Sequence, residues 1–229
     1  MKRLIAALLW PLASAAASPG LDSIAERTAA CMLCHGTADR AAGTAYFPRI
    51  AGKPQGYLYQ QLLHFREGRR ISPAMNHLVA NLSDAYLMEI AGHFAAQHPP
   101  YPSAPPVRAS QRELALGRRL VYHGDPVRKL PACVACHGQQ LNGVAPAIPG
   151  LLGLPRAYLT GQFGAWRNGV RGAAAPDCMA QIAARLTPGD VGAVASWLAA
   201  QPVPSDYAPA PQSNARSRPH LPLACGSVP

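Results

Sequence analysis

The feature that most constrains this chain is a five-residue pattern, Cys-x-x-Cys-His, that occurs at residues 31–35 and again at residues 133–137. The sequence after each copy repeats as well, with the same residue types in the same order. The matched residues are Pro48 with Pro149, Gly52 with Gly153, Tyr57-Leu58 with Tyr158-Leu159, Arg66 and Gly68 with Arg167 and Gly169, Met75 with Met179, and Ala95-Ala96-Gln97 with Ala199-Ala200-Gln201. This repeat predicts two homologous domains, and 229 residues suit two domains of about 100 residues each.

The repeat and the distribution of proline divide the chain into segments. The domains are predicted at residues 18–98 and 110–202. A semi-rigid Pro-rich linker at 99–109 separates them, and a Pro-rich tail at 203–229 follows the second.

Residues 1–17 are typical of a signal peptide. Lys2 and Arg3 precede an apolar run, and small residues follow it. The run is too short to span a bilayer and contains Pro11, although an uncleaved membrane anchor is the alternative. We therefore expect export to the periplasm and a mature protein that is soluble or peripheral at the membrane.

In an exported chain, Cys-x-x-Cys-His is typical of covalent haem attachment. Two thiols at this spacing on a short helix reach the two vinyl groups on one edge of a haem, and the following histidine directs its imidazole at the iron. The sequence thus predicts two covalently bound haem c groups. The attaching and ligating residues are Cys31, Cys34 and His35 for one haem, and Cys133, Cys136 and His137 for the other.

Two other uses of the cysteine pairs fit the sequence less well. A redox-active disulfide normally lies in a βαβ context, which this sequence lacks. A structural zinc site held by four cysteines would not require a histidine directly after both pairs.

Each half has the same predicted layout, and the fold class is all-α. A short helix carries the motif, a Gly/Pro loop follows, and a middle helix begins near Pro54 or Pro155. A loop that bears the methionine leads to a final amphipathic helix, with Ser83 and Thr187 as the expected N-caps. No alternating strand pattern of useful length occurs.

The sixth iron ligand has few candidates. Met179 is the only methionine of the second half, and Met75 is its equivalent, since each stands seven residues before a leucine that opens the final helix. A thioether favours Fe(II) and raises the potential relative to two histidine ligands. His77 is the rival in the first half, but its counterpart in the second half is Gln181.

Pro48 and Pro149 follow the two ligating histidines at similar distances. A carbonyl in that loop could accept a hydrogen bond from the imidazole Nδ1–H and so fix the tautomer. The alternative is a proline that only shapes a turn.

The chain is basic, with 21 Lys and Arg against 11 Asp and Glu and a formal charge of +10. Such an excess steers encounters with partner proteins that have acidic docking surfaces. An exported chain without an aromatic–basic platform is not expected to bind nucleic acid.

These motifs together resemble the cytochrome c4 family of tandem class-I c-type cytochromes, over nearly all of the chain up to about Pro202. The resemblance implies two tandem class-I cytochrome c domains with His/Met ligation in both. It also implies haems that face each other across an interdomain contact, and electron exchange with a terminal oxidase or a membrane dehydrogenase.

The tail departs from this family, and so do Cys178 and Cys225. These two cysteines remain after haem attachment. Two such cysteines in an oxidising compartment predict a Cys178–Cys225 disulfide that holds the tail beside Met179. Intermolecular pairing or free thiols are the alternatives.

The predicted function is therefore single-electron transfer between respiratory partners and not enzymatic catalysis, because irons with six ligands have no open position for a substrate. Two alternatives remain. One is a dihaem peroxidase, which needs one domain without a usable methionine. The other is a cytochrome subunit docked on a dehydrogenase or oxidase.

Overall fold

A computed structural model describes residues 22–36, 47–101, 106–211 and 221–228. The predicted signal peptide at 1–17 lies outside the described residues. The helices are α1 (Ile24–Arg27), α2 (Ala29–His35), α3 (Gln55–Arg66), α4 (Pro73–Val79), α5 (Asp84–Ala95), α6 (Gln111–His123), α7 (Val134–His137), α8 (Arg156–Arg167), α9 (Cys178–Arg185) and α10 (Pro188–Ala199). The strands are β1 (Gly143–Val144) and β2 (Ile148–Pro149), which pair antiparallel. The prediction of an all-α fold is confirmed, since this two-residue pair is the only sheet among the described residues.

The repeat in sequence is a repeat in structure. The series α2, α3, α4, α5 of the first half recurs as α7, α8, α9, α10 in the second. The exact domain limits stay a prediction.

The core of the second half forms where α6 crosses α10 and α8 packs on α10. A glycine permits the first of these contacts. A Cβ atom at Gly117 would overlap the carbonyl of Ala193, so only glycine lets the two helix backbones approach this closely. Leu120, Val121 and Leu198 are almost completely buried in this core.

The core of the first half forms between α3 and α5 and divides into two neighbouring clusters. One is centred on Leu58, Ile90 and Phe94, and the other on Phe65 and Leu87.

The final helix of each half begins as its sequence predicts. The Ser83 hydroxyl accepts a hydrogen bond from the Tyr86 N–H. Thr187 and Asp190 form a complete capping box at the start of α10.

The expectation that the methionines lie on loops is wrong. Met75 lies on α4 and Met179 on α9. Pro73 occupies the first turn of α4, where proline is preorganised for a helix, and the Asp177 carboxylate caps α9 by accepting from Ala180 N–H.

The two halves meet through a nearly two-fold symmetric contact, built on an antiparallel bridge between Arg70 and Arg171. The Arg70 guanidinium donates to Gln162 Oε1 at 3.0 Å, and the Arg171 guanidinium donates to Gln61 Oε1 at 3.2 Å. Because these are equivalent residues of the two repeats, each half contributes the same chemistry to the other. Arg171 also donates to the Tyr57 hydroxyl at 3.3 Å.

The tail lies along both halves. The Tyr207 hydroxyl donates to Pro99 O at 2.9 Å and accepts from Arg49 at 3.1 Å. Further on, Ala210 N–H donates to Gly143 O at 2.9 Å. Among the described residues, no helix has the length and apolar character needed to cross a membrane.

Candidate haem sites

The four predicted site residues of the second half line one cavity. Cys133, Cys136 and His137 of the attachment motif are part of its lining, and Met179 of α9 contributes to the same lining. The cavity contains about 640 Å³ of space free of protein atoms, counting its open mouth. The remaining wall is almost wholly apolar and includes Leu120, Leu130, Leu151, Leu159, Phe163, Ile182, Leu186, Val194 and Leu198.

The His137 imidazole is held in one tautomer. Its Nδ1–H donates to the Pro149 carbonyl at 2.7 Å, which leaves the Nε2 lone pair available to a metal. The ring is buried, and burial lowers the pKa of His137 below its usual value. The imidazole is therefore neutral near pH 7, which is the form that binds a metal.

The first half repeats this arrangement. His35 Nδ1–H donates to the Pro48 carbonyl at 2.8 Å, and burial lowers the pKa of His35. The prediction that a carbonyl in each proline loop orients the ligating histidine is confirmed at Pro48 and at Pro149.

The cysteine pairs are not built for disulfide exchange. Burial raises the pKa of the Cys133 thiol to about 12 and also raises the pKa of Cys136 and of Cys31. A reactive Cys-x-x-Cys pair needs a lowered thiol pKa, so the redox-disulfide alternative is disfavoured. None of the four cysteines of these pairs, Cys31, Cys34, Cys133 and Cys136, is in a disulfide.

Met75 is better placed than His77 to face a buried iron. Met75 packs against the cluster of Phe65 and Leu87, whereas His77 is exposed on α4.

Cys31 packs against the neighbouring cluster around Leu58. The two clusters share Tyr59, Leu62 and Leu82, so apolar side chains connect the attachment motif with the methionine.

Sequence reasoning missed two residues that bind the segments carrying the methionines. His64 is fully buried and accepts a hydrogen bond from Ala174 N–H at 3.2 Å across the contact between the halves, which no sequence pattern indicated. Asn76 follows Met75 directly and bonds to the end of α3. The position of Asn76 next to Met75, a predicted ligand, was the only feature of the sequence that could have indicated its role.

The predicted pairing of Cys178 with Cys225 is confirmed. The disulfide joins the first residue of α9 to the tail.

The residues present fit a haem better than a zinc ion. The cavity of the second half offers one neutral imidazole, one thioether, two thiols and an apolar wall. In the parts of the chain that the structure describes, no three or more His, Cys, Asp or Glu side chains converge as a zinc site would require. Cys133 and Cys136 would attach the haem, and His137 would bind its iron. The fold and these sites define a c-type cytochrome with two haem-binding halves.

No family model matches the chain. The thiosulfate dehydrogenase electron acceptor of Thiomonas intermedia is 36% identical over 211 residues, which cover 89% of this chain and 93% of the relative. Cytochrome c4 of Pseudomonas aeruginosa is 33% identical over 174 residues, which cover 75% of this chain and 84% of the relative. The crystal structure of reduced cytochrome c4 from Pseudomonas stutzeri is similar with a TM-score of 0.63 at 28% identity, covering 76% of this chain and 94% of that one.

The chain belongs to the cytochrome c4 family. It is accordingly a dihaem electron-transfer cytochrome that carries two covalently bound haem c groups in two tandem class-I domains.

Proposed function

We propose that this protein is an exported one-electron carrier that accepts electrons from a thiosulfate dehydrogenase and holds both irons between a histidine and a methionine. The ligand pairs are His35 with Met75 and His137 with Met179. The observation that carries the ligand proposal is the cavity of the second half, where Met179 lines the same space as Cys133, Cys136 and His137.

The chain's own residues suit electron transfer without catalysis. A bound haem supplies a one-electron Fe(III)/Fe(II) couple. The Pro48 and Pro149 carbonyls fix the histidine rings, so the ligands need little rearrangement between oxidation states. The apolar wall excludes water, and a neutral thioether favours the reduced iron. With a methionine in each half, neither iron has an open position for peroxide, which is what disfavours a peroxidase.

The partner proposal rests on the Thiomonas intermedia relative, which matches 89% of this chain and is named as a thiosulfate dehydrogenase electron acceptor. The charge of the chain supports a partner with an acidic docking surface. The formal charge is +10, and Arg112, Arg118 and Arg119 are exposed on α6. A terminal oxidase or a membrane dehydrogenase is the alternative or subsequent partner. Location in the periplasm follows from the signal peptide predicted at residues 1–17.

Rapid mixing of the oxidised protein with a thiosulfate dehydrogenase and thiosulfate tests the partner. Both haems should be reduced at the rate at which the enzyme turns over. The rate of haem reduction should fall by roughly tenfold as salt rises toward physiological strength, because opposite charges steer the encounter. Mixing with thiosulfate alone is the control. If the enzyme reduces a cytochrome c4 but leaves this protein oxidised, thiosulfate dehydrogenase is not its donor.

A further inference from the structure

The segment that carries Met179 differs from its counterpart in the first half. Four residues, 71–74, separate the bridging Arg70 from Met75, whereas seven residues, 172–178, separate Arg171 from Met179. A longer connection has more conformational freedom and needs more contacts to hold the side chain at its end in one place.

In the first half a polar side chain, that of Asn76, ties the methionine helix to its neighbour. The Asn76 amide donates to the carbonyls of Phe65 and Arg70, and its Oδ1 accepts from Ser72 N–H at 2.6 Å. These bonds tie α4 to the end of α3. The residue that follows Met179 is Ala180, whose methyl group can make none of them.

In the second half the tail makes the contacts that hold the methionine segment, as Asn76 does in the first half. Cys178, the residue directly before Met179, is bonded to Cys225. The next tail residue, Gly226, donates its N–H to Pro176 O at 2.9 Å. A Cβ atom at position 226 would overlap the Ala175 carbonyl, so the tail lies directly on the backbone of the connection.

The other side of the same connection is held by the first half. His64 Nε2 accepts from Ala174 N–H, and Ser227 Oγ lies 3.3 Å from the same nitrogen. His64 therefore links the tail and the connection to α3. Its counterpart in the second half is Ala165, so this support has no symmetric equivalent.

We propose that the Cys178–Cys225 disulfide, with the tail residues that follow it, is a positioning element that keeps Met179 on the iron of the second haem, as Asn76 keeps Met75 on the first. The inference rests on the His/Met ligation proposed above. It assigns a role to the tail, which contains none of the predicted haem-site residues.

The test uses the mature protein with both haems attached, and replaces both cysteines in Cys178→Ala/Cys225→Ala so that no free thiol competes for the iron. The long-wavelength methionine-to-Fe(III) band is followed against guanidinium concentration. The variant should lose roughly half of this band at a denaturant concentration where the wild type keeps all of it, because one of two methionine bonds is released early. Amide exchange in residues 172–180 should accelerate, and the potential of one haem should fall.

Asn76→Ala is the matched control in the other half. It should release the other half of the band and accelerate exchange in residues 71–76 while leaving 172–180 unchanged. If the double cysteine variant does not accumulate, folded wild-type protein can be reduced, alkylated at the released thiols and reoxidised before the spectrum is recorded.

The inference is overturned if loss of the disulfide leaves the band, the potentials and exchange in residues 172–180 as in the wild type. A general loss of stability that affects both haems equally also overturns it. Failure of the proposed ligation is seen separately: Met179→Leu in a chain with the disulfide intact would then leave the band unchanged.

Discussion

At the scale of single residues, His64 lies at the contact between the halves and makes the stability of the protein depend on pH. It is fully buried, and its Nδ1 is a buried nitrogen with no hydrogen-bond partner among the described residues. Burial, with the neighbouring Arg69 and Arg171 guanidinium groups, lowers the pKa of His64 to about 4. An unfolded histidine has a pKa near 6.5, so between about pH 6.5 and pH 4 the unfolded chain binds a proton that the folded chain excludes. The contribution of His64 to stability is complete above this window and is lost as the pH falls through it.

Replacing His64 with Gln should flatten this acid dependence, because an amide oxygen can still accept from Ala174 N–H but does not titrate. We expect the free energy of unfolding of the wild type to decrease by up to about 3 kcal/mol more than that of His64→Gln on going from pH 7 to pH 4. Urea unfolding at a series of pH values measures the difference. Parallel curves for the two proteins would show that His64 is not the group responsible.

At the scale of elements, the crossing of α6 and α10 determines how tightly the second half packs. Gly117 lies at the crossing, whereas no atom beyond the backbone of its own helix lies within 4 Å of the position that a Cβ at Gly161 of α8 would occupy. The two glycines differ in the surrounding space and not in the kind of element they belong to.

Gly117→Ala should lower the free energy of unfolding by about 1–3 kcal/mol, since the added methyl forces the helices apart. Gly161→Ala should leave stability unchanged or raise it by up to about 1 kcal/mol, because alanine is the better helix former. Thermal or urea unfolding of the two variants beside the wild type gives the comparison. Equal effects of the two substitutions would rule out the close crossing as the cause.

The elements also show what the sequence can and cannot predict. Two kinds of feature were predictable because each depends on residues close together in the chain. They are the helix caps at Ser83 and Thr187 and the hydrogen bonds from the ligating histidines to the proline-loop carbonyls. The helices that carry Met75 and Met179 were expected as loops, since short helices beside proline and glycine give a weak periodic signal. Contacts such as Arg70 with Arg171, or His64 with Ala174, depend on how the halves meet, which no local pattern encodes.

At the scale of the whole molecule, two similar halves are joined by a symmetric contact and by an asymmetric tail. The repeat predicted the two halves, and the disulfide between Cys178 and Cys225 was predicted by counting cysteines. The course of the tail was not predictable, because it depends on partners as distant as Arg49, Gly143 and His64.

The visible spectrum of the oxidised mature protein, with the number of haems fixed by intact mass, shows whether both irons are bound by a histidine and a methionine. With this ligation in both halves, we expect a methionine-to-Fe(III) band with the intensity of two low-spin haems, of which Met75→Leu and Met179→Leu each remove about half. A high-spin signal from one haem in the wild type, together with turnover of peroxide, would contradict it.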